Sequence, residues 1–219
     1  MGEGAYGARN KGASSARASR IAFCDADDVV ADGWLEAVAR GLDEFSLVTG
    51  PLDLRRLNSS DVVGWRTRTL WDRPLDWHAF LPVALNCNLA IRREVFDVIG
   101  GFRLVDSGSD FRFVWEAQLR GWKLGYSPGA LVHRREPASW RAFLRRSFRD
   151  GRHEPQLYKD FRRSGMPRSS LTRAAMFWLL LALGAPALCV SRWRYAWSAA
   201  AGMRAGRLVG SVRSRVMYL

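Results

Sequence analysis

Apolar positions along the first two thirds of the chain switch repeatedly between two spacings. Residues 5–19 are rich in Ala and poor in β-branched side chains, which favours helix. Ile21 to Cys24 form a short continuous apolar run of the kind a buried strand shows. Trp34, Leu35, Val38 and Leu42 then fall at helical spacing, with Asp32 placed as the N-cap. "FSLVTG" predicts a strand ending on Gly50, and residues 51–86 read as irregular, broken by Pro51, Pro74 and Pro82. "CNLAIR" predicts a strand and "REVFDVIGG" a short helix stopped by Gly100 and Gly101. Phe111, Val114, Trp115, Leu119 and Trp122 make a further helical stripe, followed by short strands in "KLGYSP" and "ALVH". Helices alternating with strands predict an α/β sandwich.

The pattern changes near the C-terminus. Residues 174–190 are 17 consecutive apolar or small positions, interrupted by Pro186. That is the low end for a bilayer span. A buried core helix and a single span are both open; the flanking Arg173, Arg192 and Arg194, with Trp178, Trp193 and Trp197, favour shallow or re-entrant membrane association. The tail after Ser191 reads as a basic amphipathic helix on anionic lipid. The expected organisation is therefore a domain over 1–150, a basic linker or helix over 151–173, and a membrane-associated helical segment over 174–219.

Charge sharpens this picture. The net charge is +13, which points to an anionic partner. A nucleic-acid binder would interleave basic residues with exposed aromatics on one face. Here the basic excess surrounds an apolar run instead, so an anionic lipid surface is favoured and nucleic acid is not expected. Cys24, Cys87 and Cys189 are too widely spaced for a disulfide framework or zinc knuckle, and read as buried free thiols in a reducing compartment. The first residues lack the apolar core of a cleaved signal peptide.

The candidate chemistry gathers after the first strand. "RIAFCDADD" sends Asp25, Asp27 and Asp28 off its end, where open α/β sheets bind ligands. Carboxylates suit a hard divalent cation bound beside substrate phosphates; a solvated Asp turn is the plain alternative. Three blocks in order, "GARNKGASSARASRIAFCDADD", "NCNLAIRREVFDVIGGF" and "SGSDFRFVWEAQLRGWKLGYSPGALVH", resemble family 2 glycosyltransferases over residues 20–150 or so.

That resemblance implies a partial GT-A fold, a Rossmann-like sheet with flanking helices, and inverting transfer of a sugar from a nucleotide-sugar donor to a polysaccharide or lipid-linked acceptor. It implies Asp27 as ligand of Mg2+ or Mn2+, with His133 as a second ligand. Arg9, Asn10 and Asp25 would contact the donor. Asp110 would be the general base, with Ser109 in place of the family's Glu. Asn88, Arg92, Arg93 and Gly101 would shape the acceptor side. The family's opening nucleotide-binding strands have no counterpart, so a misassigned start, a gene remnant or a complementing chain is expected, with weak activity for this chain alone. The enzyme would sit on the cytoplasmic face of the plasma membrane. A non-catalytic membrane-surface fragment is the alternative function, ahead of a basic nucleic-acid-binding protein.

Overall fold

The computed structural model describes residues 4–66, 69–74, 78–105 and 107–219. Trp77, one of the tryptophans of the irregular 51–86 stretch, lies outside them. In chain order the elements are α1 (Gly4–Ser15), β1 (Arg20–Phe23), β2 (Val29–Val30), α2 (Trp34–Glu44), β3 (Leu47–Thr49), β4 (Leu52–Asp53) and α3 (Ser60–Val63). They continue with β5 (Leu70–Trp71), β6 (Leu89–Arg92), α4 (Arg93–Ile99), α5 (Ser109–Leu119), β7 (Leu124–Tyr126), β8 (Val132–His133), α6 (Trp140–Phe161), α7 (Leu171–Leu183) and α8 (Ser191–Ser214). Contacts group them into two units: residues 1–57, 68–77 and 81–135 in the first, and 58–67, 78–80 and 136–219 in the second.

The first unit is the expected α/β arrangement. One sheet has the order β1-β6-β3-β7; β6 runs antiparallel to both β1 and β3, and β7 runs parallel to β3. The alternation of side chains across a strand decides what each face meets. Ile21, Phe23, Leu47, Leu89 and Ile91 share one core with Val95, Phe96, Phe113 and Val114 from α4 and α5. Phe23, Phe96, Phe102 and Phe113 pack there with ring centroids 4.8–6.4 Å apart. On the other face Val48 lies so close to α2 that a Cβ on Gly41 would meet it at 2.9 Å. A second small sheet, β2-β8-β4-β5, runs beside this layer.

Several local expectations change. Helix α2 is preceded by Gly33 in the left-handed region (φ 75°), not capped by Asp32, and Leu35 is exposed rather than on its buried stripe. In α5, Leu119 is exposed while Phe113 and Ala117 complete the buried face. Cys24 and Cys189 are exposed; only Cys87 is buried. The irregular stretch contributes β4, α3 and β5.

The second unit is helical. The apolar run 174–190 is not one segment: α7 covers 13 residues and stops at Gly184, where a separate 3-10 turn, Ala185–Cys189, begins. No helix among the described residues is long and apolar enough to cross a membrane. Helix α8 is not a lipid-facing amphipath on its inner side either. Ser198, Gly202, Gly206, Gly210 and Ser214 recur every fourth residue and are all buried. They lie against α6, whose own buried line is Ser147, Gly151 and Pro155. Small residues at i and i+4 let two backbones approach closely. A Cβ on Gly206 would sit 2.2 Å from the Phe148 carbonyl oxygen and 2.8 Å from the Arg152 nitrogen, atoms that cannot move aside.

Gly206→Ala is therefore expected to lower stability by about 1–3 kcal/mol, the usual cost of overpacking. Gly12→Ala, mid-α1 with nothing within 4 Å of its would-be Cβ, is expected to raise it by about 0.5–1 kcal/mol. Paired thermal and urea melts read both; equal signs would contradict the close α6–α8 contact.

Candidate functional site

The site grows from the turn after β1. The Asp28 N–H donates to the Asp25 carbonyl at 3.1 Å, folding the acids into a tight turn. The end of β8 is tied to it: the Arg135 N–H donates to Asp28 Oδ1 (2.7 Å), and Arg135 Nε donates to the Asp27 carbonyl (3.2 Å). Strand β8 also pairs His133 with Val29 on one side and with Asp53 on the other. The turn is thus braced by the second sheet.

The three acids meet different surroundings. Asp25 is ion-paired with Arg9 from α1. Asp27 is exposed. Asp28 is half-buried, and its Oδ2 is enclosed with no hydrogen-bond partner among the described residues. Burial, and then the charges of Asp25 and Asp27, outweigh the Arg135 N–H and the Arg134 charge and push its carboxyl up to about 6. Ligand atoms of Asp25, Asp28 and Cys87 lie within 4.8 Å of one another. This donor set fits a divalent cation: two converging carboxylates, one with an orphaned oxygen, match the oxygen preference of Mg2+ or Mn2+. Burial pushes the Cys87 thiol up to about 12, so it is neutral and no match for a hard cation.

Asp110 stands at the start of α5, whose N-cap is Gly108 with φ 77° rather than Ser109. Its Oδ1 accepts from the Tyr6 hydroxyl (3.3 Å) and from the Phe111 N–H (3.1 Å). The Ser109 N–H in turn donates to Tyr6 Oη at 3.3 Å. Burial, then the Asp110 charge, raise the Tyr6 pKa, so the phenol remains a proton donor. Arg9 lies 5.5 Å from the centre of the Tyr6 ring. One face of α1 therefore links the acid turn to Asp110 through Arg9 and Tyr6. Asp28 belongs to the acid cluster seen in the sequence but was given no role there, and Tyr6 and Asp53 were not singled out; Tyr6 sits one helical turn before Arg9 and Asn10, which was the available signal.

The remaining predicted residues are engaged as follows. His133 Nδ1 lies 3.0 Å from Asp53 Oδ2. Burial pushes the Asp53 carboxyl up, but the Arg55 guanidinium and N–H and the His133 contact prevail and hold it below the usual range. Asn10 exchanges two hydrogen bonds with the Phe102 backbone, at 2.7 and 2.8 Å. Gly101 sits beneath that pair at φ 79°, and a Cβ there would lie 3.0 Å from Asn10 Oδ1. Asn88 accepts from Trp34 Nε1 (3.0 Å) and donates to the Ala130 and Pro51 carbonyls (2.7 and 3.2 Å). Arg92 donates to the Leu42 and Asp43 carbonyls at the C-terminus of α2. Arg93 donates to Ala13, Ala16 and Ala18 at the C-terminus of α1. Besides Asp28 Oδ2, two enclosed polar groups of the first unit lack hydrogen-bond partners among the described residues, the Asn86 amide and the Ser109 hydroxyl. Enclosed groups of this kind cost about 1–3 kcal/mol each unless a ligand satisfies them.

An α/β sheet with a braced acid turn at one strand end and a hydrogen-bonded carboxylate tied to the same helix has the place where open α/β sheets bind ligands. Comparisons with known proteins narrow the class. Residues 2–110, just under half of the chain, match the family model of glycosyl transferase family 2. No curated protein matches the chain. Among solved structures, it is similar to "Mannosyltransferase PcManGT from Pyrobaculum calidifontis in complex with GDP-Man and Mn2+", with a TM-score of 0.56 and 19% identity. The match covers 97% of this chain and 66% of that one, so the protein spans just under two thirds of that relative's length. At this identity the likeness shows a shared fold.

Two measurements probe the site's physics. Asn88→Leu strands the Trp34 N–H and two carbonyls, and is expected to cost about 3 kcal/mol or more; a loss below 1 kcal/mol would remove Asn88 as a fastening point. Because folding raises the Asp28 pKa, the folded state holds the proton more tightly than the unfolded one. Metal-free stability should accordingly fall as pH rises from the ordinary carboxylate range through about 6. Asp28→Asn should remove that fall and raise the melting midpoint above pH 6.

Proposed function

We propose that the chain transfers a sugar from a nucleoside-diphosphate sugar to a hydroxyl of a saccharide or lipid-linked acceptor, with inversion and with a divalent cation. The observation that carries this reading is the linkage of the acid turn to Asp110 along one face of α1. It supports the reading because the acid turn and Asp110 are both tied to one positioned element, α1, as a displacement at an anomeric carbon asks of an anion-neutralising group and a proton acceptor.

Asp25, Asp27 and Asp28 would hold the cation, with Asp25 also answering to Arg9 on the donor side. Mg2+ or Mn2+ bound there would stabilise the leaving diphosphate as a Lewis acid. Asp110 takes the proton of the acceptor hydroxyl, whose oxygen attacks the anomeric carbon from the face opposite the diphosphate. The carbon–oxygen bond to the diphosphate breaks, and the electron pair leaves with it. Tyr6 and the Phe111 N–H fix the rotation of the Asp110 carboxylate, so its basic oxygen meets the acceptor in one orientation. His133, held by Asp53, stands at the end of β8 that braces the turn and is assigned to the diphosphate side. The enclosed Ser109 hydroxyl and Asn86 amide are assigned as hydrogen-bonding groups for a bound substrate. The similar mannosyltransferase was solved with GDP-Man and Mn2+, which makes GDP-mannose with Mn2+ the first donor to test.

Asp27→Ala is expected to abolish Mn2+-dependent donor binding measured by calorimetry. Asp110→Asn should keep that binding and lower kcat by about 10²–10⁴. Tyr6→Phe should lower kcat by about tenfold with KM nearly unchanged, the worth of one hydrogen bond to a charged group. Donor binding that persists unchanged in EDTA, or full turnover in Asp110→Asn, would sink the assignment.

A further inference from the structure

Helix α7 is covered along one narrow seam only. Of its 13 residues, Ala174 and Leu181 alone are buried. Met176, Phe177, Trp178, Leu179 and Leu180 are consecutive and all exposed, and Leu183 is 68% exposed. Five successive positions make more than a full turn of helix, so this surface is apolar nearly all round. A helix of that kind is normally buried or in lipid.

The charge around it decides what covers it. From Phe161 to Leu219 there are ten arginines and no acidic residue. Arg204 places its guanidinium 4.2 Å from the centre of the Phe177 ring, at the edge of the apolar face. Arg207 beside it is paired with Glu154. Burial, and then the Arg207 charge, lower the Arg204 pKa; only one carboxylate, Glu154, offsets the two cations. Arg173 is exposed at the other end of α7. A second copy of the chain would bring this cationic surface against itself. An anionic lipid surface complements it. The helix is about 20 Å long, too short for the ~30 Å hydrocarbon core, but suited to lying in one leaflet. Trp178 and Trp193, both partly exposed, suit the headgroup level.

We infer that α7 embeds flat in the interfacial layer of one leaflet of an anionic membrane, with Arg173 and Arg204 on lipid phosphates. This docking is independent of the transfer chemistry and is tested without it. The full chain is mixed with sucrose-loaded vesicles of phosphatidylcholine alone or of phosphatidylcholine with phosphatidylglycerol, and sedimented. Binding is expected to be at least about tenfold tighter to the anionic vesicles and to weaken with salt. Leu179→Glu with Leu183→Glu changes two exposed positions, so the helical circular dichroism should be kept while vesicle binding drops about tenfold or more. Arg204→Gln should reduce the preference for phosphatidylglycerol. Failure of the parent chain to bind either vesicle, or equal binding by the double variant, overturns the inference. So does a lipid-free dimer that the double variant dissolves, which would show a second copy covering α7.

Discussion

The Asn88 side chain is the point on which the first unit closes. It is 1% exposed and makes three hydrogen bonds: one accepted from the Trp34 indole of α2, two donated to the Pro51 and Ala130 carbonyls. Its own carbonyl accepts from Thr49 Oγ1 at 2.8 Å. These partners belong to the start of α2, the exit of β3, and the loop that enters β8. No apolar residue could satisfy them, and a charged one would be left buried. Because β8 leads to His133 and to Arg135, the same amide sets how the second sheet reaches the acid turn. Packing at Asn88 thus governs geometry at Asp27 and Asp28.

The blocks that make the sequence resemble a glycosyltransferase are partly fastenings of this kind. Asn10 and Gly101–Phe102 belong to separate blocks, yet they form one reciprocal backbone contact. Arg92 and Arg93, adjacent in sequence, point to opposite tasks: each closes the carbonyl end of a different helix, where a cation also meets the negative end of the helix dipole. The alternation of helix and strand was legible because buried strands such as Leu89–Arg92 and stripes such as Trp34, Val38 and Leu42 carry their period openly. The short elements of the 51–86 stretch were not, since two-residue strands like Leu52–Asp53 have no period to read. Tyr6 was invisible as a partner of Asp110 because the two are 104 positions apart and neither residue type signals the other.

In the second unit charge obscured geometry. The run of arginines drew attention to lipid along the whole tail, while the decisive spacing was Ser198, Gly202, Gly206, Gly210, Ser214. That stripe commits one side of α8 to α6, while α7 presents five consecutive exposed apolar residues, Met176 to Leu180. The two helices differ in what they do. One builds the unit through close backbone contact, and the other presents apolar surface between basic ends.

Three carboxylates within four residues of a basic chain coexist by three separate means. Arg9 neutralises Asp25, water screens Asp27, and burial drives Asp28 toward its protonated form. None of these is a stable accommodation of three charges at once. Arg9 is shared with the Tyr6 ring, and Asp28 keeps an oxygen with no donor among the described residues. A divalent cation would answer all three demands together, displacing the Asp28 proton and offsetting the burial, and then the repulsion, that raise its pKa. The acids are held together by the hydrogen bonds of Arg135 and by the Asn88-fastened strand behind them. The repulsion that comes with crowding them is thus carried by contacts away from the chemistry, and a cation with the phosphates it carries would offset it.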